Sequence, residues 1–240
     1  MIPYRDTIPC IHPPWVTSSL IVVNFAVFLV CLPLDERVIS HIQNLFGLVP
    51  ARYYFPRWAE AVGYGPFDPA PFITSMFLHG SALHLITNMW MLWIFGDNVE
   101  DRMGAVRFLS FYLACGLAAS ACQIYANPTA TAPIIGASGA LAGVMGAYFF
   151  LYPYARIVVW VLFMPIFIQV PAVSFLGAWV IFQLYKATSG LVFHTEPTDV
   201  AWWGHLGGIL FGMASYRWFL SRLRKTGGGI TSSPKSPRDL

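Results

Sequence analysis

The feature that most restricts how this chain can fold is a succession of apolar runs, at about residues 16–34, 81–95, 105–126, 137–151, 172–184 and 200–220. Several approach the roughly 20 residues that a helix needs to cross a bilayer. In hydrocarbon a backbone must satisfy its own hydrogen bonds, which favours helices. Charged residues make up 10% of the chain and the mean hydropathy is +0.60, whereas soluble domains are about a quarter charged. The sequence therefore predicts an all-α integral membrane protein: a six-transmembrane-helix bundle over residues 16–220, a short N-terminal segment (1–15) and a flexible basic tail (221–240). The first run reads as a span and not a cleaved signal peptide, because only Arg5 precedes it and Cys31-Leu32-Pro33-Leu34 lacks a small-residue cleavage site.

Six spans put both termini on one side, and Arg217, Arg222, Arg224, Lys225, Lys235 and Arg238 assign that side to the cytoplasm. Arg102, Arg107 and Arg156 agree, and residues 127–135 carry no basic group. Arg37, Arg52 and Arg57 in the first connection dissent. The net charge of +3 is thus a topology signal, and with no nucleic-acid motif beside it no nucleic-acid partner is expected. Cys10, Cys31, Cys115 and Cys122 are scattered and read as small apolar filler, so neither a metal nor a cofactor is expected. Residues 97–102 read as an acidic cytoplasmic loop that makes salt bridges and helix caps. The aromatic connection 35–71 reads as a loop lying partly on the outer leaflet. Pro153, Pro165 and Pro171 interrupt the apolar run 157–170, which predicts an interfacial or re-entrant segment instead of a further span.

The chemistry begins at Ile134-Ile135-Gly136-Ala137-Ser138-Gly139-Ala140-Leu141-Ala142-Gly143, where a serine between glycines opens a span. Such a serine is either a helix cap beside close-packing glycines or a nucleophile whose missing neighbours admit a substrate backbone. His84 and Asn88, four residues apart, share a face of the second span and are either interhelical hydrogen-bond partners or functional groups. His205 opens the sixth span, with Gly208 and Gly212 on the same face. If alternate spans enter from the outside, His84, Ser138 and His205 fall at one depth in the outer half of the membrane. A serine needs a base to accept its proton, and a histidine is the usual base.

The run GASGALAG around Ser138, the His79, His84 and Asn88 pattern, and Gly204-His205 with Gly208 and Gly212 together resemble the rhomboid intramembrane serine proteases, over roughly residues 46–220. The resemblance implies that Ser138 is the nucleophile and His205 its general base, with no third acidic member. It implies an oxyanion hole from the Ser138 amide and the side chains of His84 and Asn88, and makes His79 a loop anchor. Implied partners are the lipid bilayer and single-span transmembrane substrates, entering between the second and fifth spans. Phe175, Trp179 and Phe182 form one stripe on the fifth, which either closes that entrance or faces lipid or core. His12, His41 and His194 read as surface or interface residues. Two departures stand out: Ala142 replaces an aromatic found in some relatives beside the catalytic imidazole, and the first loop has only Arg57-Trp58, in reverse order, for a Trp-Arg pair. Short tails and the lack of an organelle-targeting segment predict the plasma (inner) membrane. The competing function is a catalytically silent rhomboid-like protein that binds transmembrane helices. A transporter or channel would call for intramembrane charges and paired broken helices.

Overall fold

The structure, a computed structural model, describes residues 2–65, 67–161, 166–193 and 200–220, without the side chains of residue 2 and of 190–193. The sequence expectations for His194, Pro165 and the tail 221–240 lie outside them. Strand β1 (Ile2–Asp6) leads into α1 (Trp15–Cys31). The aromatic connection that follows is not an irregular loop but a chain of short helices, α2 (Glu36–Phe46), α3 (Pro50–Tyr54), α4 (Pro56–Ala61) and α5 (Pro71–Thr74). Proline opens the last three, where its missing N–H is not needed. Then come α6 (Ala82–Met103), α7 (Ala105–Ala126), α8 (Ser138–Leu151), strands β2 (Arg156–Val161) and β3 (Ile166–Pro171), α9 (Ala172–Phe193) and α10 (Trp202–Phe219).

By length and composition, one described helix, α7, is long and apolar enough to cross a membrane on its own, and α1 and α8 are shorter apolar helices. At 1.5 Å per residue the 14 residues of α8 reach about 21 Å, less than the roughly 30 Å of a hydrocarbon core. Helix α6 is long enough, but Asp97, Glu100, Asp101 and Arg102 occupy its last turns.

Those last turns correct the expectation of a loop at 97–102. The helix runs on to Met103 and ends at Gly104, whose φ of +78° lets α7 start at once in a new direction. Its carboxylates serve the N-terminal segment. Buried Glu100 accepts from the backbone N–H of Val16 (2.9 Å) and Thr17 (2.7 Å) and from the Thr17 hydroxyl (2.8 Å), supplying the acceptors that the first turn of α1 lacks. Asp101 accepts from the His12 backbone and pairs with its ring.

The all-α expectation is also corrected. β1, β2 and β3 form an antiparallel sheet in that order, with Ile2 opposite Trp160 and Arg156 opposite Pro171. The run expected to be interfacial or re-entrant is this hairpin, rich in the β-branched residues that suit a pleated surface. The short N-terminal segment is bound to the helices through Asp6, which accepts from Tyr148 OH (2.5 Å) on α8 and from Asn98 Nδ2 (2.8 Å) on α6.

Helices α7, α8 and α10 pack most closely, with α6 against α8, α1 against α6, and α9 on the flank of α10 and the hairpin. Glycine makes the α8–α10 contact possible. A Cβ on Gly208 would lie 2.1 Å from the Gly139 carbonyl oxygen, and one on Gly212 2.1 Å from that of Gly143. The two backbones therefore touch, the form of packing that holds helices together where lipid offers no hydrophobic drive.

Candidate active site

Ser138 is the first residue of α8, and its hydroxyl does not cap that helix: the cap position belongs to Ala137, with no side-chain bond. Instead Ser138 Oγ lies 2.8 Å from His205 Nε2. The backbone contact between Gly139 and Gly208 sits one residue beyond the serine and three beyond the histidine, so helix packing sets this distance directly. The start of α10 is pinned from α7, where Gln123 Oε1 accepts from Gly204 N–H at 2.8 Å.

Three further groups surround the imidazole. Its Nδ1 faces Gln183 Oε1 at 3.1 Å, and both residues are buried, at 7% and 3% exposure. Trp179 stacks on the ring (centroids 6.3 Å apart, planes at 25°), and Trp202 meets it edge-on at 6.0 Å. These residues supply what Ala142 does not. Ala142 is fully buried, under the close approach of Gly208. Sequence reasoning passed over Gln183, although a lone amide in an apolar run, one turn after Trp179 and on its face, was the available signal. The stripe expected along α9 is divided: Phe175 packs on Phe95, Trp179 on His205, and Phe182, 48% exposed, against Trp202. Trp179 thus belongs to the site and does not simply face an entrance.

Opposite the imidazole, His84 and Asn88 lie against the backbone that enters α8. Gly136 has φ +123°, and a Cβ there would come within 2.8 Å of His84 Nε2 and 3.7 Å of Asn88 Nδ2, so glycine is required on both counts. Asn88 Nδ2 is buried with no hydrogen-bond partner among the described residues. Such an orphan costs about 1–3 kcal/mol, which is the condition of a donor held ready for a missing acceptor. His84 is fixed by its backbone N–H to the Ser81 hydroxyl at 3.1 Å and by the ring of His79 edge-on at 5.1 Å. His79, in the connection before α6, is buried, and burial together with neighbouring His84 pushes its pKa down to about 4. The segment leading to Ser138 is tied down from the first connection by Leu48 and Ile134, which exchange backbone bonds of 3.0 and 2.8 Å, and by Ala51 N–H to Ala130 O at 3.0 Å. Gly136 N–H reaches Ser75 O at 2.8 Å.

These groups line one cavity of about 420 Å³, shared by His84, Asn88, Ser138, Trp179, Gln183 and His205. A hydroxyl, an imidazole acceptor and the unpartnered Asn88 amide on one apolar-walled cavity can carry out nucleophilic attack on an acyl carbon. Of the other histidines, His12 bonds Asp101 and His41 is exposed on α2.

The rhomboid-domain profile matches residues 67–222, a range that holds His84, Asn88, Ser138, Trp179, Gln183 and His205. Among similar proteins are Rhomboid protein 1, mitochondrial, of Saccharomyces cerevisiae (35% identical over 62% of this chain and 41% of that protein) and Presenilin-associated rhomboid-like protein, mitochondrial, of Homo sapiens (31% identical over 60% and 36%). RHOMBOID-like protein 5 of Arabidopsis thaliana is 26% identical over 60% of this chain and 52% of its own length. The chain thus spans about a third to a half of the length of these relatives. With its motifs, its helical core and this match over more than half of its length, the chain belongs to the rhomboid family.

Proposed function

We propose that this chain is an intramembrane serine endopeptidase that cleaves transmembrane segments with a Ser138–His205 dyad. The observation that carries the reading is the 2.8 Å contact between Ser138 Oγ and His205 Nε2, with the serine free of any capping role. Family membership adds to it, since the family includes intramembrane serine proteases.

In this mechanism His205 Nε2 takes the hydroxyl proton as Ser138 Oγ attacks the scissile carbonyl. The developing oxyanion accepts from the Ser138 amide, His84 and Asn88. Each donor fixed in a water-poor site is worth about 3 kcal/mol of barrier. Collapse breaks the C–N bond, and the imidazolium returns its proton to the leaving amine. A water then hydrolyses the acyl-enzyme, with His205 again acting as base.

The same proposal keeps six spans, both termini on the cytoplasmic side and the dyad toward the outer leaflet. Burial of Arg52, 3.4 Å from Asp68 and over the Tyr64 ring, supports this topology, because it removes one dissenting charge from the first connection's surface. Two of the relatives are mitochondrial by name, which favours the mitochondrial inner membrane over the plasma membrane that the sequence predicted, and imaging of the tagged chain decides between them. The catalytic test uses the full chain in vesicles with a panel of single-span proteins. Cleavage by the wild type, abolished equally by Ser138→Ala, His205→Ala and the double variant, is expected, since nucleophile and base act as a unit. Cleavage persisting in Ser138→Ala overturns the proposal.

A further inference from the structure

We infer that Gln183 is the positioning residue of the base: its side-chain oxygen holds the imidazole of His205 in the tautomer that leaves Nε2 free to take the Ser138 proton. The inference rests on the dyad reading above and goes beyond it by naming what replaces an acidic third member.

An amide oxygen has lone pairs and no proton, so at 3.1 Å from Nδ1 it accepts and places the ring proton on Nδ1. The other nitrogen then carries its lone pair toward Ser138 Oγ, 2.8 Å away. Turned the other way, the amide NH₂ would donate to Nδ1 and leave the proton on Nε2, where it would confront the serine hydroxyl as a donor. Both residues are nearly buried, which leaves water little access to Nδ1, so the choice of tautomer falls chiefly to Gln183.

A neutral acceptor also suits the location. A carboxylate here would be an ion in an apolar interior, costly to bury, whereas an amide orients the ring without that cost. What the amide gives up is charge stabilisation of the imidazolium. Trp179, one turn earlier on α9, stacks its face on the imidazole and supplies part of it through the ring quadrupole. Orientation and charge stabilisation therefore reach His205 from one face of one helix.

The test compares Gln183→Leu and Gln183→Glu with the wild type in the full chain, reading fluorophosphonate labelling rate, kcat and KM on a membrane substrate, and Tm. Gln183→Leu is expected to slow labelling and kcat by roughly 10-fold to 100-fold, with KM and Tm near those of the wild type, because a lost orienting bond misassigns the tautomer while an apolar isostere still packs. Gln183→Glu keeps an oxygen at the same reach and is expected to recover most of the rate at a lower Tm, the cost of a buried carboxyl. Wild-type labelling by Gln183→Leu overturns the inference. So do equally slow Leu and Glu variants with a lowered Tm in Gln183→Leu, which would make Gln183 a packing residue. Labelling of His205→Ala at the wild-type rate overturns the dyad reading itself, and this inference with it.

Discussion

Adding one carbon at Gly208 should inactivate the protein by moving two helices, and the structure gives the size of the movement. The new Cβ of Gly208→Ala would sit 2.1 Å from the Gly139 carbonyl oxygen, and such contacts need at least 3.0 Å, so α8 and α10 must part by about 0.9 Å or more. The obstacle is backbone, so no rotamer change relieves it. Ser138 and His205 lie on the two separating helices, one and three residues from the contact. Their 2.8 Å hydrogen bond therefore lengthens beyond about 3.5 Å and ceases to be one. A misplacement of about 1 Å at reacting groups costs on the order of 100-fold in rate. Gly177→Ala is the control, since nothing lies within 4 Å of a Cβ there. Fluorophosphonate labelling rates and thermal unfolding in one detergent compare the two. Gly208→Ala is expected to label about 100-fold more slowly and to lose stability, and Gly177→Ala to match the wild type. Wild-type labelling by Gly208→Ala would refute the argument that backbone contact sets the dyad distance.

Asn88→Ala should slow turnover by roughly 10² to 10³ while leaving substrate binding nearly unchanged, if its orphaned amide donates to the oxyanion; a large fall in Tm with near-normal specific activity would assign it a structural role. Trp179→Ala should slow cleavage of membrane and soluble peptide substrates alike, by about 10-fold, because its ring stacks on His205. Faster cleavage of the membrane substrate alone would return Trp179 to the role of a gate. His79, with its pKa lowered from 6.5 to about 4, stays neutral in the fold while the unfolded chain takes up a proton below pH 6.5. Its contribution to stability is thus complete above pH 6.5 and lost as pH falls toward 4, about 2 kcal/mol of it between pH 7 and pH 5. Thermal unfolding across that window should show a shallower decline in His79→Leu than in the wild type, and equal slopes would contradict the linkage.

The site was legible in the sequence because its signals are local and one-dimensional: a polar residue at the start of an apolar run, and glycines at helical spacing behind it. Ser138 and His205 each stand in that position, His84 and Asn88 share one face of the span before them, and the folded chain brings all four to one cavity. The orientation of His205 was not legible, since Gln183 is a single amide whose partner lies 22 residues on and only the packing of α9 on α10 joins them. The sheet was hidden for a similar reason. Ile157, Val158 and Val159 are buried in succession, which imitates a membrane run, and one of their two partner strands, β1, is more than 150 residues earlier in the chain. At residues 97–102 the charges gave the role, a helix cap and an ion pair, but not the helix that carries it, because the groups that use those carboxylates, the backbone of Val16 and Thr17 and the segment around His12, are about 85 residues away.

The proposed chemistry depends on one atom, Ser138 Oγ, being the nucleophile activated by His205. The direct measurement is the site of covalent attachment: react the full chain in vesicles with a fluorophosphonate, digest it, and locate the adduct by mass spectrometry. The expected result is an adduct on Ser138 in the wild type, none in Ser138→Ala, and strongly slowed formation in His205→Ala. An adduct on Ser75 or Ser120, the other serines lining the cavity, or labelling undiminished in Ser138→Ala, would contradict it.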